Sequence, residues 1–178
     1  MGGEIVEASL LRGRAWTFGD DISTDHIAPG RLFHLRTDLP ELATHVMEDA
    51  DPGFAAAMSA GDFIVGGRNF GLGSSREHAP RIIKLAGVGA VLAQSFARIY
   101  FRNSINNGLL ALVCDTSGIK DGDQLEIDVD TGVIRDMTRG IEVESSPLPK
   151  VMLDILDEGG LVEYMKRHGR LTLETGGV

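Results

Sequence analysis

Gly71-Leu72-Gly73-Ser74-Ser75-Arg76-Glu77-His78-Ala79-Pro80 is the stretch on which the reading of this chain turns. It sets two hydroxyls and a guanidinium side by side in a glycine-rich loop, just ahead of an expected helix. Glycine lets the backbone bend sharply and come close to a ligand. Ser74 and Glu77 have the spacing of an N-terminal capping box. The start of a helix, with its free N–H groups and positive dipole end, suits an anion. This is the chemistry of a site that grips a carboxylate and places a serine against it. The commoner phosphate loops do not fit: no Gly-Lys-Ser/Thr tripeptide ends the loop, and Arg76 stands where a dinucleotide fingerprint needs its third glycine. A tight turn that merely caps a helix is the plainer reading. The adjacent Ser-Ser-Arg weighs against it, because a cap needs only one hydroxyl.

Upstream of this loop, residues 9–18 read as a strand ending at Gly19-Asp20-Asp21. A polar loop from Asp20 to Arg31 follows, carrying Asp25, His26 and the turn Pro29-Gly30. Residues 32–38 show no clear period and read as a second loop. Apolar residues at helical spacing predict a helix over 39–47, after the possible cap Asp38. A short helix is expected over 53–58. A short apolar strand over 62–65 then delivers the chain into the serine loop. Downstream, helix and strand alternate: helix 80–86, strand 90–93, helix 96–106, strand 109–113. Buried strands joined by such helices predict parallel pairing in a three-layer α/β core. Residues 122–143 change to short alternating strands around the turn Asp130-Thr131-Gly132, and two helices, 148–156 and 161–167, flank Gly159-Gly160. A single domain over residues 1–178 is expected, with its core at about 9–168 and a frayed tail at 172–178.

At 178 residues the chain is long enough for a substantial core, and its 43% hydrophobic and 24% charged content is that of a globular protein. A formal charge of −9 without a basic run argues against nucleic acid or an anionic membrane as partner. No apolar stretch reaches spanning length, and Met1-Gly2-Gly3-Glu4 lacks the basic and apolar regions of a signal peptide. The lone cysteine, Cys114, rules out an internal disulfide, which agrees with a cytoplasmic setting, and its apolar neighbours mark it as a small buried hydrophobe. His34, His45 and His168 have no metal-ligand spacing, so no metal held by this chain is expected.

Three blocks resemble the small subunits of 3-isopropylmalate dehydratase and homoaconitase, equivalent to the swivelling C-terminal domain of aconitase. They are Gly19-Asp20-Asp21-Ile22-Ser23-Thr24-Asp25-His26-Ile27, the run from Gly66 to Pro80, and Ala93-Gln94-Ser95-Phe96-Ala97-Arg98-Ile99-Tyr100-Phe101-Arg102-Asn103. The resemblance implies a β/β/α swivelling fold. It also implies a hydro-lyase that moves a hydroxyl between neighbouring carbons through an unsaturated intermediate, with a 4Fe–4S cluster held by three cysteines. A chain with one cysteine cannot supply them, so the cluster is expected on a large subunit, in a heterodimer or heterotetramer, with no cofactor bound by this chain.

The same resemblance assigns residues. Ser74 occupies the place of the catalytic base, which must act as an alkoxide stabilised by backbone donors and positive charge. Ser75 and Arg76 match the substrate-binding pair, the planar guanidinium fork holding a carboxylate at two points. Asp25 matches a catalytic-site aspartate that orients a histidine of the large subunit. Arg36, in His34-Leu35-Arg36-Thr37, lies near the spacing of the aconitase arginine that meets a third carboxylate. Isopropylmalate-type relatives usually carry an apolar residue there and homoaconitase-type ones a Leu-Arg-Thr. Family membership alone favours isopropylmalate, so the hydroxy acid stays open among isopropylmalate, homocitrate-type and other malate-derived substrates. His26 and His78 are expected to pack or bond locally, and Arg98 and Asn103 to serve as scaffold. A regulatory binding module without catalysis is the alternative of another class. RNA binding of the kind some aconitase-like proteins show is poorly suited to so acidic a chain.

Overall fold

Neighbouring residues of the central strands point into different cores, and this alternation generates the layers. The computed structural model describes residues 9–170. Its elements are β1 (Leu10–Thr17), α1 (Thr24–Ile27), a 3₁₀ segment (Gly30–Thr37), α2 (Leu39–Ala43), α3 (Phe54–Ala57), β2 (Phe63–Val65) and α4 (His78–Leu85). There follow β3 (Ala90–Ala93), α5 (Arg98–Asn106), β4 (Ala111–Val113), β5 (Gln124–Asp128), β6 (Val133–Asp136), β7 (Ile141–Glu144), α6 (Lys150–Asp157) and α7 (Leu161–His168). Seven strands form one sheet in the order β4-β3-β2-β1-β5-β6-β7. The β1–β4 half is parallel and the β1-β5-β6-β7 half antiparallel.

Trp16, Ile64 and Val91 face a core shared with Ile27, Leu42, Phe54, Phe70, Ile82 and Ile83 from the helices and loops. Their neighbours Ala15, Phe63, Val65, Ala90 and Leu92 face the other way, onto Leu125, Ile127 and Ile134 of the antiparallel half. The sheet therefore curls so that its two halves pack face to face, with the helices on the outer face of the parallel half. This is the three-layer β/β/α arrangement that the family resemblance implies. A third apolar cluster, Ile105, Ile155 and Tyr164, fastens α6 and α7 to α5. Among the described residues no helix is long and apolar enough to cross a membrane.

Two local expectations are corrected. The helix predicted over 39–47 stops at Ala43, although Asp38 does cap it, accepting from the Glu41 amide at 3.2 Å. Met47 takes a left-handed conformation (φ 60°), with its amide bonded to Ile27 O at 2.9 Å and its side chain fully buried. A tertiary bond and a core contact here outweigh helical spacing. The 32–38 loop is instead part of a 3₁₀ segment kinked at Leu32. The expectations for residues 1–4 and 172–178 lie outside the described residues.

Candidate active site

The three sequence blocks that carry the family resemblance are far apart along the chain and are stitched together in space by main-chain bonds. Gly71 N–H donates to Ile22 O at 2.7 Å, and Thr24 N–H to Leu72 O at 2.9 Å. Ala97 N–H donates to Phe70 O at 2.9 Å, and the Ser95 hydroxyl accepts from the Asn69 amide at 2.8 Å. Gly71 is required at its position: its φ is +84°, and a Cβ there would fall on the Tyr100 ring. The loop can thus lie directly on the first turn of α5.

Ser74, Ser75, Arg76, Thr24, Arg98 and Asn103 line a cleft of about 300 Å³ where the blocks meet. The expected capping box at Ser74 and Glu77 does not form. The helix starts at His78, Glu77 is its cap residue, and no side chain caps it. The Ser74 carbonyl is held by the Thr24 hydroxyl at 3.0 Å and the Arg76 amide at 2.7 Å, which keeps Ser74–Glu77 out of the helix. The box sits instead at α1, where Ser23 Oγ accepts from the His26 amide at 3.2 Å and His26 Nδ1 accepts from the Ser23 amide at 2.9 Å. His26 is therefore a local bonding residue, as expected. Relieved of capping, the Ser74 and Ser75 hydroxyls are exposed and have no hydrogen-bond partner among the described residues. The first-turn amides of α5, which have no intrahelical acceptor, lie on the same cleft. Helix N-terminus and arginines together favour an anion there.

Arg76 is held from behind. Its Nη1 pairs with Asp25 Oδ1 and donates to Ala28 O at 3.3 Å, and only 21% of its side chain is exposed. Asp25 is far more exposed, and Gly30 leaves room for the pair: a Cβ there would lie 3.1 Å from Asp25 Oδ1. Asp25 thus meets the cleft through Arg76. Arg36 does not line the cleft. Its guanidinium carbon stands 4.4 Å from the Phe33 ring centre, and Nη1 donates to Phe33 O at 3.2 Å. The Arg76 guanidinium carbon lies 5.7 Å from the same ring, and the His78 ring 6.1 Å from it. His78 is a packing residue, as expected. Burial, and after it the charges of Arg76, Arg36 and Arg81, hold its imidazole below the ordinary histidine value.

Arg98 and Asn103, read from the sequence as scaffold, reach the cleft. The signal was available: both belong to a block whose other two partners carry the serine loop and Asp25. Thr24 was missed as well, and nothing local to it marks a residue that orients a carbonyl 50 positions away.

The residues do not fit an iron–sulfur cluster. Cys114 lies between the two halves of the sheet, and burial, followed by the charge of Asp115, pushes its thiol up to about 12. Cluster ligation needs several accessible thiolates. No group of three His, Cys, Asp or Glu side chains among the described residues could hold a metal ion.

A family model described as the aconitase C-terminal domain matches residues 47–117. The small subunit 2 of 3-isopropylmalate dehydratase from Archaeoglobus fulgidus is 61% identical over 161 residues, covering 90% of this chain and 98% of that one. The methanogen homoaconitase small subunit of Methanothermobacter thermautotrophicus is 50% identical over 168 residues, covering 94% and 95%. The crystal structure of 3-isopropylmalate dehydratase from Methanocaldococcus jannaschii superposes with a TM-score of 0.86 at 44% identity, over 90% of this chain and 95% of that chain. With the three blocks converging on one cleft and similarity running nearly end to end, the chain belongs to the family of 3-isopropylmalate dehydratase and homoaconitase small subunits, of the aconitase superfamily.

Proposed function

We propose that this chain supplies the carboxylate-binding and proton-transfer half of a cytoplasmic two-chain hydro-lyase, which turns a 2-hydroxy acid into its 3-hydroxy isomer by dehydration and rehydration. The observation that carries this is the pair of uncommitted hydroxyls, Ser74 and Ser75, beside the braced Arg76 in one cleft. Arg76 and Ser75 bind the carboxylate, and the guanidinium fork fixes its plane. Ser74 Oγ, as an alkoxide, takes the proton from the carbon next to that carboxylate. The C–H electron pair becomes the new double bond as the neighbouring hydroxyl departs. The elements lost are one proton, held on Ser74, and one hydroxide. Returning the proton to the carbon that lost the hydroxide, and hydroxide to the carbon that lost the proton, gives the isomer. The α5 amides and the charge of Arg98 favour the anionic form of Ser74. Asp25 is a positioning residue: it braces Arg76, and its exposed carboxylate is left free to orient a histidine of the large subunit.

The 4Fe–4S cluster that the family reading implies does not fit this chain and is placed on a cysteine-bearing large subunit. The exposure of Ser74 and Ser75 is in keeping with a site completed by that partner. Arg36 gives the substrate choice two branches. Arg36 is exposed in this chain. Covered by the large subunit, its cation would lack a partner beside an isopropyl group but pair with a carboxylate, so Arg36 favours a homocitrate-type acid. Most of the close relatives carry the isopropylmalate name. The test is to purify this chain anaerobically with iron and sulfide, alone and with a large subunit, and assay both preparations against isopropylmalate and homocitrate-type acids. Turnover is expected only from the pair. A stoichiometric cluster or turnover in the isolated chain overturns the two-chain reading. Full assembly with no turnover of any hydroxy acid favours a binding module instead.

A further inference from the structure

Phe33 has no part in the reaction just described, yet it stands between the carboxylate-binding Arg76 and the substrate-choosing Arg36. The residue is 47% exposed. Arg36 and Arg76 nevertheless both approach its ring, at 4.4 and 5.7 Å from guanidinium carbon to ring centre, and the His78 ring lies 6.1 Å away at 60°. Two guanidiniums repel one another, whereas the face of an aromatic ring attracts each of them. A ring shared by both can hold them at a set separation. The two arginines depend on it unequally. Arg76 is anchored independently by Asp25 and by the Ala28 carbonyl. Arg36 is exposed, and among the described residues its direct partners are the ring and the carbonyl of Phe33.

We propose that Phe33 is a specificity-determining positioning residue: its ring sets the gap between Arg36 and the Arg76 clamp, and so decides whether a carboxylate or an apolar substituent fits beside the bound carboxylate. The inference rests on the reading that Arg36 faces that substituent. His78 completes the arrangement, its ring 6.1 Å from that of Phe33. It is faced by Arg76, Arg36 and Arg81, so its titration reports where Arg36 stands.

Two measurements test this. The first titrates His78 by NMR in the full chain, in wild type, Arg36→Ala, Phe33→Leu and the double variant. Arg36→Ala should raise the His78 pKa in wild type. In the Phe33→Leu background it should do so by less than half as much, because Arg36 has already left. Equal increments in the two backgrounds overturn the platform. The second uses the assembled two-chain enzyme and compares kcat/KM for a homocitrate-type acid with that for isopropylmalate. Phe33→Leu should move the ratio toward the apolar substrate by about 2- to 30-fold, in the same direction as Arg36→Val, and Phe33→Tyr should preserve it. A ratio moved by Arg36→Val but not by Phe33→Leu overturns the role of Phe33. A ratio that Arg36→Val leaves unmoved overturns the underlying substrate reading, and the NMR cycle then still decides whether Phe33 positions Arg36.

Discussion

The two halves of the sheet treat their polar groups in opposite ways. On the antiparallel half, charges are matched: Glu126 takes both Arg12 (2.8 Å) and Arg135 (3.4 Å), Arg135 also reaches Glu142 (3.2 Å), and buried Asp123 takes Arg139 (2.7 Å). Around the parallel half, the loops crossing its outer face leave two serine hydroxyls unbonded beside Arg76 and Arg98, with Arg36 nearby. Exposed hydroxyls bond to water at no cost in stability, so these are free to exchange that water for a ligand. Function is expected to respond to substitution on one half, and stability on the other.

The sharpest way to break this contrast is Ser74→Ala. If Ser74 is the base, kcat of the assembled enzyme should fall about 10²–10⁴-fold, the usual share of general base catalysis, with thermal stability and KM nearly unchanged. Arg76→Lys should act differently, raising KM chiefly, because a point charge cannot reproduce the two-point fork. Glu126→Gln is the control from the other half: its partners are exposed arginines, pairs worth less than about 1 kcal/mol, and turnover should not change. Steady-state kinetics and a melting curve on each variant decide. A Ser74→Ala enzyme that keeps near-normal kcat reduces this serine to a loop residue.

Next in expected size is Asp62, which ties β1 to the entry to β2. Its carboxylate accepts from Trp16 Nε1 (2.9 Å), the Ser59 amide (2.9 Å) and the Arg14 amide (3.1 Å). Burial alone would raise this carboxyl, but the donors from Ser59, Trp16 and Arg14 overcome it and hold it below the usual range. Asp62→Ala should cost about 3 kcal/mol, since three donors lose a charged acceptor. In wild type, the contribution of a lowered carboxyl is present above its unfolded value and is lost as pH falls through the folded one. The variant's deficit, measured by denaturant melts between pH 3 and 7, should therefore shrink on acidification. A deficit independent of pH would show that the ionised form is not what stabilises the fold.

What the sequence reveals follows the same division. The strands β2 to β4 were legible because short apolar runs buried on both faces need no partner information, and the blocks around Asp25, Ser74 and Arg98 because loops that carry chemistry keep their residue order. The missing details all depend on long-range bonds. Ser74–Glu77 has a capping-box spelling, but Thr24, fifty residues away, holds the Ser74 carbonyl and delays the helix to His78. The 39–47 helix ends early because Met47 bonds to Ile27. That Arg36 rests on Phe33, outside the cleft lining, follows from the 3₁₀ path of residues 30–37, which no periodicity announces.

The smallest effect expected lies in the antiparallel half, at a buried carboxyl without a cation. Asp123 and Asp136 are both buried, and only Asp123 has a cation against it. Burial tends to raise Asp123, but the Lys120 amide and Arg139 outweigh it and hold the carboxyl low. Asp136 is raised, by burial first and by the neighbouring Asp123 carboxylate as well. Its Oδ1 accepts the Thr138 and Arg139 amides, each at 3.0 Å, and its Oδ2 is buried with no partner among the described residues. A protonated Asp136 fits this arrangement, shared between two carboxyls that cannot both ionise cheaply. A raised folded pKa gives stability that is fully present below the unfolded value and is lost as pH climbs through the folded one. Asparagine keeps an acceptor for the two amides, offers an N–H toward Asp123, and never ionises. Asp136→Asn should therefore match wild type near pH 4 and exceed it slightly above neutrality, by on the order of 1 kcal/mol. Activity should be untouched. Chemical denaturation of both proteins across pH 4 to 8 measures the difference, and a variant less stable than wild type at the alkaline end would mean that Asp136 works as a carboxylate after all.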